Sequence, residues 1–250
     1  MTQRTRRAPD FPDTVRRLNY LIDHLGVKKY LEVGLGNGGT FETVEVAYKV
    51  GVDPHPWNPA LSKLDGVQML TSDEYFSRHW NAGIEFDLIL LDGLHTAEQT
   101  YRDFVNSLHY AHARTVWLID DVMPSDAFSA IPDQAEALRQ RKAQTGSKDA
   151  AWHGDVYKAL WMIKTFHNNM TMRTMWKGQP QALVYYSGAR KTPVSRATLG
   201  EIARLTYDDT VSRRAEYNLG EDSKILKECV AEVRKRTRGV PPRQPGMVGM

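Results

Sequence analysis

Two short apolar runs, residues 86–91 and 116–119, each stop on aspartate: Leu91 is followed by Asp92-Gly93-Leu94-His95, and Ile119 by Asp120-Asp121. A short apolar run bounded by polar residues suits a strand buried on both faces, the habit of parallel sheets covered by helices. In an open α/β sheet the carboxyl ends of the strands share one edge, and ligands bind there. Asp92, His95, Asp120 and Asp121 are therefore expected to converge, although the two segments do not adjoin. Three carboxylates held that close repel one another unless a cation neutralises them. An oxygen-rich donor set suits Mg²⁺, Mn²⁺ or Ca²⁺. The pattern points to a metal-assisted enzyme.

The rest of the chain alternates in the same manner. Hydrophobic periodicity predicts strands at 29–33, 48–52, 67–70, 86–91 and 115–119, with 171–176 and 182–186 pairing at the end of the sheet. Helices are expected at 13–25, from Ser72 or Asp73 to about residue 80, at 96–110, 133–142 and 155–167, and near 196–205 and 222–236. Asp13 is expected to cap the first helix, and Asp155 the helix that follows it. This alternation predicts an α/β fold: a Rossmann-like, mostly parallel, seven-stranded sheet flanked by helices, with a helical C-terminal appendage. Eight residues, 40–47, separate a glycine-rich turn from the second strand, fewer than the dozen or so a crossover needs. The first crossover is thus expected to be truncated, a turn or a short extended link. Three parts follow: an N-terminal arm and helix at 1–27 with a flexible lead at 1–12, a core domain at 28–189, and a helical basic extension at 190–250 that closes on a Pro/Gly end.

Composition removes several function classes. A chain of 250 residues with 41% apolar content can bury a full core. No apolar run approaches the ~18 residues of a membrane span, so no membrane partner is expected. The lone Cys229 excludes an internal disulfide framework and a thiolate zinc site, and fits a cytoplasmic protein. The net charge of +3 conceals an asymmetry: residues 1–20 carry five Arg against two Asp, and 190–250 carry thirteen basic against eight acidic side chains. The body between them is net acidic. Basic ends of this kind attract anionic partners, but a solvated face or an oligomer arm is the commoner use, and nucleic acid is not the expected partner. Ile202, Leu205, Ile225 and Leu226 in the extension are expected to settle on the body or on a second copy, the latter giving a homo-oligomer.

Glu32-Val33-Gly34-Leu35-Gly36-Asn37-Gly38 follows the first strand directly. Glycines there let the backbone approach a ligand closely. Taken as Gly34, Gly36 and Gly38, the set departs from dinucleotide-loop spacing, and Glu32 at the strand end suits a cationic ligand. Asp53, ending the second strand, is placed to accept hydrogen bonds from a ribose diol. Each acid also has a plain structural competitor. Asp92 could cap the helix near Thr96, but Thr96 with Gln99 can form that helix's own capping box. Asp120 and Asp121 could shape a turn before Pro124, and a histidine beside a turn is often only a hydrogen-bonded support.

Several segments read together define a resemblance. They are Tyr30-Leu31-Glu32-Val33-Gly34, Gly39-Thr40-Phe41, Gly51-Val52-Asp53-Pro54, Thr71-Ser72-Asp73-Glu74-Tyr75-Phe76, the 86–96 run through Asp92 and His95, Asp120-Asp121-Val122-Met123-Pro124, and Trp152-x-Gly154-Asp155-Val156-Tyr157-Lys158. Over about residues 28–187 the chain resembles class I S-adenosylmethionine-dependent methyltransferases, in the bacterial branch of metal-dependent sugar and macrolide O-methyltransferases. The resemblance implies S-adenosyl-L-methionine as cofactor. It places Glu32, Gly34, Gly36 and Gly38 in the first cofactor motif, with Glu32 near the methionine amine, Asp53 on the ribose, and Ser72 and Asp73 near adenine. It implies Mg²⁺ (or Mn²⁺) on Asp92, Asp120 and Asp121, His95 as general base beside Asp92, and a small-molecule hydroxyl acceptor such as a sugar or glycosylated natural product. Residues 190–250 have no counterpart in it. A nicotinamide-dependent oxidoreductase, an RNA methyltransferase using the basic termini, and a non-catalytic cofactor-binding protein are the competing classes.

Overall fold

The computed structural model describes residues 13–187 and 197–237; the lead at 1–12 and the Pro/Gly end beyond 237 lie outside the described residues. Helix α1 (Asp13–Leu25) precedes β1 (Lys29–Val33), α2 (Gly39–Thr43), β2 (Tyr48–Val52), β3 (Val67–Gln68) and α3 (Ser72–His79). Then come β4 (Phe86–Leu91), α4 (Ala97–Ser107), β5 (Ala111–Ile119), α5 (Gln134–Thr145), α6 (Tyr157–Phe166), β6 (Met170–Met175) and β7 (Gln181–Tyr186). The chain closes with α7 (Leu199–Ala203), α8 (Tyr207–Ser212), β8 (Leu219–Gly220) and α9 (Asp222–Thr237). Among the described residues no helix is long and apolar enough to cross a membrane.

One sheet runs through the molecule in the order β3-β2-β1-β4-β5-β7-β6-β8. The first five strands are mutually parallel, β7 is antiparallel to β5 and β6, and β8 is parallel to β6. The sheet has eight strands where periodicity predicts seven. The eighth is two residues long, too short to carry any periodicity. Its neighbours Thr174 and Met175 supply the pairing.

Alternate residues of the central strands feed two cores, as a two-residue side-chain period requires. Leu31, Val33, Ile89, Leu91, Trp117 and Ile119 join Phe104 of α4 and Leu160 and Ile163 of α6 on one face. Tyr30, Leu88, Leu90, Val116 and Leu118 join Leu18 and Leu21 of α1, Phe41 of α2, and Ile225, Cys229 and Val233 of α9 on the other. Each such large side chain contributes about 1.5–3 kcal/mol on burial. The C-terminal segment is helical as expected, but it is built into the body. Ile202, Leu205, Ile225 and Leu226 are all buried within this one chain. Arg17, also buried, binds α1 to the rest: Nε donates to Asp222 Oδ2 at 2.8 Å and Nη1 to Gln181 Oε1 at 2.8 Å. A buried guanidinium is tolerable only when its donors are met in this way.

Three local expectations change. The first crossover is short, but it holds a five-residue helix before the chain turns extended at Val44. Gly38 takes a left-handed turn (φ 89) before it, Asn37 Oδ1 accepts from Gly39 N at 3.0 Å, and burial of Phe41 overrides the β-branched composition. The cap of α3 is Thr71, in a capping box with Glu74, which leaves Ser72 and Asp73 free for other partners. Asp13 opens α1, and its carboxylate accepts from Gln179 N at 3.1 Å, reaching the β6–β7 turn.

Candidate active site

The sheet order reverses direction at β1: β2 and β3 continue to one side, β4 and β5 to the other. Open α/β sheets bind ligands at that switch point, outside the carboxyl ends of the strands. Here the ladder runs one residue past each strand. Gly34 N donates to Val52 O (2.9 Å), Asp92 N to Val33 O (2.8 Å), Asp53 N to Gln68 O (3.1 Å) and Asp120 N to Leu91 O (3.0 Å). The four terminal residues are thereby fixed along one edge. Gly34 has φ +87, and a Cβ there would overlap the Asp92 carbonyl oxygen. Only glycine lets these two strand ends approach so closely.

A cavity of 560 Å³ opens over this edge. Of the residues singled out from sequence, Glu32, Gly34, Gly36, Asp53, Ser72, Asp73, Asp92, His95 and Asp121 line it. Gly38 and Asp120 do not line it. A Cβ at Gly38 would strike the Leu61 side chain, so this glycine serves packing beneath the turn. Counted through Gly39 instead of Gly38, the turn does have G-x-G-x-x-G spacing, and α2 follows it. Spacing alone therefore does not separate a dinucleotide from another nucleotide.

Glu32 is 2% exposed, and Tyr30 Oη donates to its Oε2 at 2.7 Å. Burial pushes its pKa up to about 8, against the Tyr30 hydrogen bond and with help from the nearby charge of Asp92. Burial disfavours its charge, so a cation placed beside it is the partner that would draw the carboxyl into its ionised form. Asp53 is held by two backbone amides, Leu35 N at 2.9 Å and His55 N at 2.8 Å. Gln99 does not complete a capping box. Thr96 Oγ1 accepts from Gln99 N at 3.3 Å, while the Gln99 amide donates to Ser72 Oγ at 3.1 Å and Asp103 Oδ1 at 2.8 Å. Burial raises Asp103 to about 6, against hydrogen bonds from Ser72 and Gln99. Trp57, 83% exposed, lies at the rim and donates its backbone N–H to Gly36 O at 2.8 Å.

Along the same edge His95 lies between two carboxylates. Its Nε2 is 3.2 Å from Asp92 Oδ1 and its Nδ1 is 2.9 Å from Asp121 Oδ2. The second contact is off the hydrogen-bond direction, so Nδ1 lacks a well-aligned partner. Burial works against the imidazolium, but the interactions with Asp121 and Asp92 outweigh it and push the His95 pKa up to about 10. Burial and the Asp121 charge raise Asp92, although its side chain is 34% open to the cavity. Among the described residues, Asp92, His95 and Asp121 form a group whose donor atoms all lie within 4.8 Å of one another. Two carboxylates whose oxygens lie this close together fit a hard divalent cation. Asp120 stands behind this group at 2% exposure. Its Oδ1 accepts from Asp121 N at 2.7 Å and its Oδ2 from the Gln179 side-chain amide. Burial, then the charges of Asp92 and Asp121, hold its pKa well above the usual range.

The 152–155 segment closes over the cluster. Trp152 stacks on His95 with ring centroids 4.8 Å apart, and His153 Nε2 is 3.9 Å from Asp121 Oδ1. Gly154 has φ +59, and a Cβ there would overlap the His95 carbonyl oxygen. Asp155 accepts from Ala97 N at 2.7 Å, so it caps α4 across space and does not cap the following α6. Sequence reading missed His153, Gln179 and Trp57. The first lies inside the recognised Trp152–Lys158 segment, at its one unassigned position. Gln179 follows from topology: β7 runs antiparallel to β5, so the turn before it must end beside Asp120.

No protein-family profile matches the chain, and none of the curated proteins matches it. Among solved structures it is similar to the O-methyltransferase TomG from Streptomyces achromogenes, involved in tomaymycin synthesis and in complex with SAM. That likeness has 15% identity and a TM-score of 0.46, over 72% of this chain and 83% of that one. An O-methyltransferase from Bacillus cereus in complex with SAH is similar at 16% identity and a TM-score of 0.47, over 71% and 82%. The MycE methyltransferase of the mycinamycin biosynthetic pathway, in complex with Mg, SAH and mycinamycin VI, is similar at 12% identity and a TM-score of 0.46, over 76% of this chain and 54% of that one.

Proposed function

We propose that this chain is an S-adenosylmethionine-dependent, divalent-metal-assisted O-methyltransferase acting on a hydroxyl of a small polyhydroxylated acceptor. One observation supports this reading above all. One cavity at the switch point is lined by a buried acid, a ribose-competent aspartate and the Asp92–His95–Asp121 group. Glu32 would hold the cofactor's ammonium, Asp53 its ribose diol, and Ser72 and Asp73 its adenine. The glycine turn gives the backbone room to lie against it. Asp92 and Asp121 would hold the cation, with Asp120 and Gln179 fixing Asp121 from behind.

S-adenosylmethionine supplies an activated methyl group, and a divalent ion supplies a Lewis acid that lowers the pKa of a poor nucleophile such as an alcohol. The protein's own part is orientation and proton handling. Without a cation, His95 itself neutralises the two carboxylates and keeps its proton. Once their charge is engaged elsewhere, its imidazole becomes free to take the acceptor's proton, a role typically worth about 10²–10⁴ in rate. Holding the hydroxyl in line is worth more, on the order of 7–11 kcal/mol in well-oriented systems.

The test pairs binding with turnover. Calorimetry should show S-adenosylhomocysteine binding and no NADH binding. Labelled methyl groups from S-adenosylmethionine should pass to diol-bearing acceptors with Mg²⁺ present and stop in EDTA. Binding of NADH in place of S-adenosylhomocysteine would replace this reading with an oxidoreductase.

A further inference from the structure

A second cavity, of 260 Å³, lies behind the acidic cluster, between the segment at 123–125, the β6–β7 turn and α8. Its lining interleaves along the chain with that of the first, although the two share no residue. Met123 and Pro124 follow Asp121 in the chain, Gly178 and Pro180 flank Gln179, and His153 borders it while standing 3.9 Å from Asp121 Oδ1. Among the described residues its lining carries no acidic side chain. Its one permanent cation among them is Arg214, just after α8, whose guanidinium carbon is 5.2 Å from the centroid of the Trp176 ring. Arg213 next to it is paired with Glu216 at 2.9 Å; Arg214 has no ion-pair partner among the described residues. Trp176 is 40% exposed, and Lys177 Nζ also lies 5.7 Å from its ring centroid. Tyr207 Oη reaches Ser125 O at 3.4 Å and ties α8 to the loop that leaves Asp121.

The molecule therefore has an acidic, cation-binding end and, one histidine away, a cationic and aromatic end. We infer that this second cavity is the acceptor subsite, and that the acceptor is a polyhydroxylated anion: a sugar acid or a sugar phosphate. Its anionic group pairs with Arg214, its ring packs beside the Trp176 indole, and its hydroxyls reach past His153 toward Asp121. A guanidinium recognises carboxylate and phosphate alike through paired N–H donors. One resting on an indole is already oriented for it. The volume suits one sugar-sized group, below the ~300 Å³ at which sites for larger ligands begin. That the bound molecule is a methyl acceptor rests on the function proposed above; that the cavity selects an anion does not.

The test is an NMR titration of the full chain at low ionic strength with glucose, glucuronate and glucose 6-phosphate. At least one anion should bind about tenfold more tightly than glucose, as expected for a charge-assisted contact. The preference should shrink as salt is added and disappear in Arg214→Gln with the fold intact by circular dichroism. Trp176→Ala should weaken both the neutral and the anionic sugars. A glucuronate preference identifies a carboxylate and a glucose 6-phosphate preference a phosphate; either upholds the inference. Equal binding of glucose, no binding of either anion, or a preference that survives Arg214→Gln overturns it. Calorimetry with S-adenosylhomocysteine on the same samples separates the two readings. An anion preference without cofactor binding removes the methyltransferase and keeps the subsite, and the converse removes the subsite alone.

Discussion

Asp121 and His95 face each other across 2.9 Å while both hold left-handed backbone, at φ 57 and φ 55. Left-handed non-glycine residues cost of order 1–3 kcal/mol each and persist where the surroundings over-determine them. Here the surroundings are the Trp152 ring, the Gly154 backbone against the His95 carbonyl, and the Asp120 carboxylate on Asp121 N. The strain aims two side chains at one point above the sheet edge.

Asp121→Asn tests that aim, because it keeps the shape, tolerates the left-handed turn and removes one charge. Turnover is expected to fall at least about 10²-fold, the scale of a lost base or metal ligand, with S-adenosylhomocysteine affinity unchanged. Kinetics and calorimetry on the same protein check both halves.

Glu32 gives the pH dependence. Below its ordinary value of 4.5 the carboxyl is protonated whether the chain is folded or unfolded. Between 4.5 and about 8 the unfolded chain loses that proton and the folded one keeps it, so rising pH takes stability away; above 8 the effect is complete. A cofactor ammonium beside Glu32 favours the ionised form. S-adenosylhomocysteine binding at pH 7 should therefore release a proton, seen as a dependence of calorimetric enthalpy on buffer ionisation heat. Glu32→Gln should abolish the release and flatten the stability profile of the ligand-free protein.

Gly34→Ala forces a side chain into φ +87 and against the Asp92 carbonyl. The left-handed cost alone is about 1–3 kcal/mol, and the backbone overlap adds to it. Thermal unfolding should show a lowered Tm, by several degrees at about 2–4 °C per kcal/mol for a chain of this size.

Gln179→Leu removes the side-chain amide that donates to Oδ2 of the buried Asp120 carboxylate and cuts the tie to Thr14, whose Oγ1 donates to Gln179 Oε1 at 2.9 Å. Groups that orient a metal ligand from behind typically carry about 10–100-fold of affinity. Mg²⁺ titration should show a loss on that scale, with cofactor binding retained.

How far the sequence reaches depends on how local each feature is. Strands β1, β2 and β4 are legible to the residue, because each carries apolar residues up to the glycine or aspartate that ends it. The edge where they end is legible too, and so are Glu32, Asp53, Asp92 and His95 on it. What escapes is carried by contacts between distant segments. Asp155 reads as the cap of its own helix and instead caps α4, 58 residues earlier. Strand β8 exists because Thr174 and Met175 offer it an edge. Asp120 and Asp121 are indistinguishable as neighbours in sequence; only the left-handed turn at Asp121 sends one into the cavity and the other toward Gln179.

The most direct measurement is a Mn²⁺ titration followed by electron paramagnetic resonance, in the presence of S-adenosylhomocysteine, on the wild-type chain and on Asp121→Asn. One tightly bound ion per wild-type chain, weakened at least about tenfold in the variant, is the result expected of a cation held beside the cofactor. Equal Mn²⁺ affinity in the two proteins, or no bound ion in either, would contradict it.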